Sequence, residues 1–354
     1  MEIIDCDVHP LESPEHPLQP FVPNDIREAV KQGMASMPGA GYANPFGVIR
    51  RDATCVDPVA AGRDYLDPYN VRFAVLQPQG IYAGLTHNID VANGMARAWN
   101  DWQTATFLDA DPRFLGSISV NMNDPKAAAR EIRRVGSHKQ LVQVLVTGES
   151  THLYGHRAYD EVYEACCEMG LVFALHPGAE GARTPSTPVG MPSSYFEWHT
   201  TLPLTFQAHC VSLIAEGTFE RFPSLNVLLV EGGIGWLPSL LWRMDKNFKA
   251  LRSTVPWLRR LPSEYALEHI RLTTQPIEEP PDSEKLLQLF GMLHAETILC
   301  YSSDYPHWDF DDPRKALPSR MPSDLAQRIF YDNAADLYGL PPANREGRIS
   351  EEAK

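Results

Sequence analysis

Short runs of apolar residues recur along the chain, and they alternate with segments in which apolar residues return every three or four positions. The uninterrupted runs indicate strands that are buried on both faces, and the periodic segments indicate helices that bury one face. Eight strands are predicted, at residues 2–8, 71–77, 115–121, 141–147, 171–176, 225–231, 270–274 and 297–302. Helical patterns occur at residues 90–109, 125–135, 158–169, 205–220, 237–250, 283–293 and 323–338.

This alternation predicts an α/β protein, a (β/α)8 TIM barrel in which eight parallel strands are surrounded by helices. A doubly wound parallel sheet is the alternative, but such sheets usually have fewer strands. Two insertions interrupt the pattern, residues 10–69 after the first strand and residues 178–202 after the fifth. Because barrel enzymes build their sites after the carboxyl ends of strands, we expect both insertions at the active-site face. No repeat or linker divides the chain, which indicates a single domain over residues 1–354.

The charge balance excludes two classes of partner. The chain carries a net charge of −14 with histidine counted as neutral, and no basic stripe reverses this sign locally. Because such a chain repels phosphate backbones and anionic lipid, we expect a small-molecule substrate, with no nucleic-acid or membrane partner. The sequence also has no apolar run long enough to cross a bilayer, and because its first residues lack a basic flank and an apolar stretch we expect no signal peptide. The six cysteines lack C-x-x-C spacing, which favours reduced thiols and a cytoplasmic location.

Side chains of metal-binding type collect at the ends of four predicted strands. Asp7 and His9 are two positions apart at the end of the first strand and therefore share a face. His176 ends the fifth strand, Glu231 ends the sixth, and Asp304 follows the eighth. Taken alone, a strand-end carboxylate often caps a helix or turn, and a single histidine often packs in a core. Their coincidence at one barrel mouth predicts a divalent metal ion, with zinc preferred and manganese as the alternative.

The same segments carry a family resemblance. The motifs are I-I-D-C-D-V-H at residues 3–9, L-H-P at 175–177, F-P-S-L-N-V at 222–227, E-G-G-I-G-W-L-P at 231–238, Y-S-S-D-Y-P-H at 301–307 and N-A-A-D-L-Y at 333–338. In this order the chain resembles the amidohydrolase superfamily, and within it the amidohydrolase-2 branch that contains aminocarboxymuconate-semialdehyde decarboxylase. The resemblance covers nearly the whole chain and implies a barrel enzyme with a single metal ion.

The resemblance also implies ligands, and the chain departs from the family pattern at two of its positions. Family ligands on the fifth and eighth strands correspond to His176 and Asp304. The family has H-x-H or E-x-H at the end of the first strand, whereas this chain has Asp7 and His9 there. On the sixth strand the decarboxylases are expected to carry a histidine, and this chain has Glu231. The second departure weighs against decarboxylation.

Two reactions are compatible with these residues. In hydrolysis, the metal lowers the pKa of a bound water, and Asp304 accepts and later returns the proton. In decarboxylation, Asp304 protonates the ring carbon so that carbon dioxide can leave. Three clustered carboxylates would over-neutralise a divalent ion, so one of them is expected to hold a proton, and a protonated Glu231 would serve as a general acid. Alternatively, Asp7 lies outside the ligand set, and His9, His176 and Asp304 hold the metal.

Five further residues are candidates for substrate binding. His307 follows Asp304 by three positions, and Arg51 in the first insertion would clamp a substrate carboxylate. Arg243 corresponds to the place where an arginine of the resembling decarboxylases reaches across a dimer interface. Trp198 and His199, in the second insertion, would line an aromatic wall of the pocket. Each also has a structural explanation, such as a loop hydrogen bond, a surface ion pair or core packing.

Three functions follow as hypotheses. The first is a metal-dependent, non-oxidative decarboxylase of a small carboxylated aromatic or unsaturated acid, acting as a homodimer or higher homo-oligomer. The second is a metal-dependent hydrolase of a lactone, amide or ester. The third is a metal-free binding protein. The chain lacks the G-x-G-x-x-G order and the G-x-S-x-G elbow, which argues against a nicotinamide oxidoreductase and a serine hydrolase.

Overall fold

The strands meet side by side in the order in which they occur along the chain. The computed structural model describes residues 1–31 and 55–344. All strand pairs are parallel, and the sheet order runs from β1 to β8 without a crossover. The strands are β1 (Ile3–Val8), β2 (Val71–Leu76), β3 (Phe114–Ser119), β4 (Leu141–Thr147), β5 (Val172–His176), β6 (Val227–Leu229), β7 (Ile270–Thr273) and β8 (Leu299–Cys300).

The first and last strands approach each other and nearly close the sheet. The Cys6 N–H donates to the Tyr301 carbonyl at 3.0 Å, and the His9 N–H donates to the Tyr305 carbonyl at 2.8 Å. Val8 and Tyr305 also form an isolated parallel bridge. We call this junction between β8 and β1 the seam. Eight parallel strands in this order confirm the predicted (β/α)8 TIM barrel, and the doubly wound alternative is wrong.

Helices occupy most of the segments between strands. The described α-helices are α1 (Arg27–Lys31), α2 (Pro58–Ala61), α3 (Asp67–Tyr69), α4 (Ile89–Gln103), α5 (Pro125–Val135), α6 (Asp160–Met169), α7 (Tyr195–Thr201), α8 (Pro203–Ala215), α9 (Thr218–Arg221), α10 (Leu237–Leu251), α11 (Pro262–His269), α12 (Ser283–Leu293), α13 (Ala295–Ile298), α14 (Ser323–Gln327) and α15 (Asn333–Tyr338). Wider or tighter helical turns lie at Gln19–Phe21, Gly62–Leu66, Gln79–Leu85, Thr104–Leu108, Arg157–Tyr159, Arg252–Thr254 and Arg328–Asp332. Among the described helices, none is long and apolar enough to cross a membrane.

The observed elements differ from the predicted ones mainly at strand ends. The sixth and eighth strands are shorter than predicted, because the chain leaves the ladder before it reaches the polar residues at the barrel mouth. The predicted helix at residues 323–338 is divided by the wider turn Arg328–Asp332. Helix α11, which precedes β7, was missed by the hydrophobic pattern.

The barrel wall is packed on both faces, as the apolar runs predicted. All seven residues of β4 and all six of β1 are buried. A small polar layer crosses the interior, where Gln143 donates to the Ser117 hydroxyl at 2.9 Å and Tyr338 of α15 donates to Gln143 at 2.7 Å. Because each of these polar groups has a partner, their burial is compatible with a stable core.

The loop that follows β4 packs tightly on α8. The Gly155 N–H donates to the Ser212 hydroxyl at 3.0 Å, and the Tyr154 N–H donates to His209 Nδ1 at 3.1 Å. A Cβ atom at position 155 would collide with the Ser212 backbone carbonyl, whereas a Cβ atom at Gly291 of α12 would meet no atom within 4 Å.

We therefore predict opposite effects for two glycine-to-alanine variants. Gly155→Ala should destabilise the fold by about 1–3 kcal/mol, because the helix backbone must move to accept the methyl group. Gly291→Ala should stabilise it by up to about 1 kcal/mol, since alanine favours a helix over glycine. The free energy of unfolding in urea measures both changes. Equal stability of the two variants would contradict this packing.

Candidate metal centre and active site

Five of the predicted site residues meet at the carboxyl-terminal mouth of the barrel. Asp7 lies on β1 and His9 directly follows it, while His176 is the last residue of β5. Glu231 and Asp304 lie in the loops beyond β6 and β8, and both have left-handed backbone conformations, with φ of 56° and 59°. Such a conformation is uncommon for residues other than glycine and often occurs at functional sites.

The side-chain atoms of these residues lie within a few ångströms of one another. His9 Nε2 is 3.0 Å from Asp7 Oδ1 and 2.9 Å from Asp304 Oδ1. His176 Nε2 is 3.5 Å from Glu231 Oε1 and 3.7 Å from Asp7 Oδ1. One set that is compact enough for a metal ion comprises Asp7, His9, His176 and Glu231, and a second contains Asp304. The residues that the sequence placed at separate strand ends thus form one cluster.

Several atoms of this cluster lack the hydrogen bonds that burial requires. Both carboxylate oxygens of Asp7, His9 Nε2 and His176 Nε2 are buried, and their close approaches to one another do not have the geometry of hydrogen bonds. His176 Nδ1 lies 2.5 Å from the Pro177 carbonyl, which can only accept, so Nδ1 carries a proton and Nε2 is the atom turned to the cluster. Buried polar atoms without partners are costly, and a cation among these four would satisfy them all. The donor set therefore fits a divalent metal ion.

The charges of the cluster support the same conclusion. Burial and the nearby Glu231 carboxylate hold the pKa of Asp7 well above its usual range, and burial, Glu231 and Asp309 do the same for Asp304. Burial lowers the pKa of His176, but the charges of Glu231 and Asp7 outweigh it and raise that pKa to about 9. Surplus negative charge thus attracts a positive charge to this position, either a proton or a metal ion.

His307 is close to the cluster, on the Asp304 side. Its Nδ1 lies 2.6 Å from Asp304 Oδ1, and its ring centroid is 3.9 Å from that of His9. Its side chain is 20% exposed, compared with 3% for Asp304. His307 therefore connects the buried carboxylate with the more open part of the mouth.

Asp5 supports the cluster, although the sequence analysis did not select it. Its Oδ1 accepts from the backbone N–H groups of Asp7 and Ser303, at 3.1 and 3.0 Å. Its Oδ2 accepts from the hydroxyls of Ser303 and Tyr65, both at 2.5 Å. Asp5 alternates with Asp7 and His9 along β1, so the period of two that placed those residues on one face could have found it.

The remaining candidates have different positions. Trp198 and His199 lie on α7, where Trp198 Nε1 donates to the Glu180 carbonyl at 3.0 Å and His199 faces Asp309. Arg243 is exposed on α10 and is not part of the cluster. Asp245, two positions further along the helix, accepts from the Ser263 backbone N–H and hydroxyl. Arg51 lies outside the described residues.

Comparison with known proteins identifies the family. A model of the family described as Amidohydrolase matches residues 4–340. The chain belongs to the amidohydrolase family. The resemblance predicted from the sequence motifs is thereby confirmed, and the fold and the position of the cluster agree with it.

The relatives of this amidohydrolase include several decarboxylases. A gamma-resorcylate decarboxylase from a Polaromonas species is 26% identical over 265 residues, which cover 70% of this chain and 77% of that protein. The 2-amino-3-carboxymuconate-6-semialdehyde decarboxylase of Dictyostelium discoideum is 24% identical over 260 residues, which cover 72% of this chain and 68% of that protein. Both names agree with the first functional hypothesis.

A solved structure shares the fold of this amidohydrolase. The dihydroxybenzoic acid decarboxylase from Polaromonas, crystallised with manganese and the inhibitor 2-nitroresorcinol, superposes with a TM-score of 0.68. It is 20% identical in sequence, and the match covers 97% of this chain and 98% of that protein.

The cluster predicts how the protein responds to metal. We expect purified protein to hold a near-stoichiometric divalent metal, and chelation should lower its melting temperature, because an ion that binds only the folded state stabilises that state. His176→Ala should lose the metal, whereas His156→Ala, which removes an exposed histidine, should keep it. Elemental mass spectrometry and thermal unfolding measure both effects. Full metal content in the His176→Ala variant would contradict the assignment.

The hydrogen bonds of Asp5 predict that a substitution at this residue weakens metal binding indirectly. Asp5→Asn replaces a buried acceptor with an NH₂ group, so it should weaken metal binding by about 10–100-fold, as loss of a supporting hydrogen bond does elsewhere. Tyr65→Phe removes one donor to Asp5 and leaves both acceptors, so its effect should be smaller. Titration of the metal-free proteins with Mn²⁺ compares the three. Equal affinities in wild type and Asp5→Asn would show that Asp5 does not position the ligands.

Proposed function

We propose that this amidohydrolase is a metal-dependent, non-oxidative decarboxylase of a small hydroxylated aromatic acid. The observation that carries the proposal is the convergence of buried, unpartnered oxygen and nitrogen atoms at the barrel mouth. Several relatives are named gamma-resorcylate decarboxylase, and this name supports the hydroxylated aromatic substrate class.

The proposed metal ligands are Asp7, His9, His176 and Asp304. The sequence favoured zinc, but the donor set is rich in carboxylate oxygens, and oxygen-rich sites suit manganese better. The solved Polaromonas structure also contains manganese. We therefore propose Mn²⁺ as the resident ion, with Zn²⁺ as the alternative that elemental analysis distinguishes.

Asp304 is the proposed general acid. When bound, the metal ion would supply positive charge that orients the substrate carboxylate and an adjacent ring hydroxyl. Asp304 gives its proton to the ring carbon that bears the carboxylate. The carbon–carbon bond to the carboxylate then breaks, its electron pair stays with the ring, and carbon dioxide leaves. His307, 2.6 Å from Asp304 and partly exposed, returns a proton from solvent to Asp304.

Glu231 has a different proposed role from the histidine expected in the decarboxylases. It lies 3.5 Å from His176 Nε2 and 3.9 Å from His9 Nε2. His176 and His9 hold the pKa of Glu231 below its usual range despite burial. Glu231 is therefore ionised, not the protonated general acid that the sequence analysis expected, and its carboxylate stabilises positive charge bound between these two imidazoles.

The larger organisation is also proposed here. We propose one domain over residues 1–354, a homodimer or higher oligomer, and a cytoplasmic location; the family match over residues 4–340 supports the single domain, and cysteines without C-x-x-C spacing support the location. The exposed position of Arg243 on α10 is compatible with a contact to a second subunit.

The proposal predicts carbon dioxide release from hydroxybenzoates by manganese-loaded protein. Asp304→Asn should lower kcat by about 100-fold or more, because a positioned general acid contributes that much. Asp324→Asn, which changes an exposed carboxylate on α14, should leave kcat unchanged. Release of ¹³CO₂ from labelled substrate measures the rate.

The competing hydrolase hypothesis gives a different result in the same assay. Ring-opened product from a lactone panel, with no ¹³CO₂ from any hydroxybenzoate, would replace the decarboxylase proposal with the hydrolase. The metal content of Asp304→Asn must be measured in the same experiment. It shows whether activity is lost because the general acid is gone or because the metal no longer binds.

A further inference from the structure

Helix α7 and the loop beyond β8 meet at the entrance to the site. They bring His199 and Asp309 together, with His199 Nε2 3.4 Å from Asp309 Oδ2. The side chains are 27% and 18% exposed, so the pair lies between the buried cluster and solvent. The position of His199 on the entrance side is a consequence of the second insertion, which carries α7 over the barrel mouth.

Aromatic rings surround His199. The Tyr195 ring stacks on it with centroids 5.6 Å apart, and the Trp308 ring lies 5.8 Å away. Trp308 Nε1 donates to the Tyr195 hydroxyl at 3.3 Å, which ties α7 to the loop beyond β8. Tyr195 and Trp308 also pack edge to face, with centroids 6.1 Å apart, and so form an aromatic rim at the entrance against which a substrate ring can pack.

Buried neighbours hold the Asp309 side chain in place. Gln275, which is fully buried, donates to Asp309 Oδ2 at 3.1 Å and to its backbone carbonyl at 3.3 Å. Asp309 also shares a hydrogen bond with the side chain of Asp304. Because these contacts restrain the Asp309 carboxylate, that carboxylate can fix the orientation of the His199 imidazole.

His199 supplies positive charge in a negative environment. Its hydrogen bond to Asp309 outweighs partial burial and raises the pKa of His199, and the Glu231 charge acts in the same direction. An imidazolium offers two N–H donors. Asp309 faces the Nε2 donor, which leaves the Nδ1 donor for a ligand. Glu231, Asp304 and Asp309 would repel a second anionic group on a substrate, so such a group needs a cationic partner here.

We propose that His199 determines substrate specificity by binding a second acidic substituent of the aromatic acid, a carboxylate or phenolate distinct from the group held at the metal. The inference rests on the proposed function and narrows its substrate class to aromatic acids with two acidic groups. Asp309 acts as the positioning residue, and the aromatic rim formed by Tyr195 and Trp308 packs against the substrate ring.

The test uses two unreactive ligands that differ only in this substituent. In 2-nitrophenol and 4-hydroxy-3-nitrobenzoate, the nitro group replaces the carboxylate that would react, and only the second compound carries a further carboxylate. Binding to manganese-loaded protein is measured by calorimetry. Wild type and the exposed-site control His156→Gln should prefer the nitrobenzoate by about tenfold, the size of a charge-assisted hydrogen bond. His199→Gln should lose this preference and bind 2-nitrophenol as before.

Each other outcome has a definite meaning. A preference that persists in His199→Gln, a wild type without preference, or equal weakening of both ligands would overturn the role of His199. A wild type that prefers the nitrobenzoate through His199 but releases no ¹³CO₂ from 4-hydroxyisophthalate, in which a labelled carboxylate replaces the nitro group, would contradict decarboxylation alone. A wild type that binds neither ligand would contradict both proposals.

Discussion

The arrangement of the site depends on the four hydrogen bonds that Asp5 accepts at the seam. The strand β8 is only two residues long, so few backbone hydrogen bonds are available to join the last strand to the first. Asp5 replaces them, because its two carboxylate oxygens receive Asp7 and Ser303 N–H groups and the Ser303 and Tyr65 hydroxyls. The same contacts fix the backbone next to two proposed metal ligands, Asp7 and Asp304. The hydrogen bonds that close the barrel are therefore the same ones that position the proposed metal ligands.

The cluster concentrates negative charge that the fold alone does not neutralise. Asp7, Glu231 and Asp304 surround two imidazoles, and both Asp7 oxygens lack a hydrogen-bond donor. An isolated core would not tolerate this arrangement, since buried charges need partners. The left-handed conformations of Glu231 and Asp304 add backbone strain at the same place. Strain and unpartnered atoms together mark a position that is built for a ligand rather than for stability.

The entrance to the site is held together by a different kind of contact from that at the seam. The seam is fixed by short contacts between strands, whereas α7 reaches the mouth from the insertion after β5 and touches the β8 loop through side chains. A scaffold of this kind separates reaction from recognition, because barrel strands position the reacting groups and loops shape the pocket. Substitutions on α7 can then alter substrate choice without disturbing the metal ligands.

The sequence by itself determined the barrel and most of the cluster. Apolar runs of strand length, alternating with helical periods, specify buried parallel strands, and residues at their ends must meet at one mouth. Asp7, His9, His176, Glu231 and Asp304 were found in this way. Only the tertiary structure showed the support from Asp5 and the approach of Asp309 to His199. These contacts join residues far apart in the chain, and hydrophobic periodicity reports which face a residue occupies but not which distant residue it meets across that face.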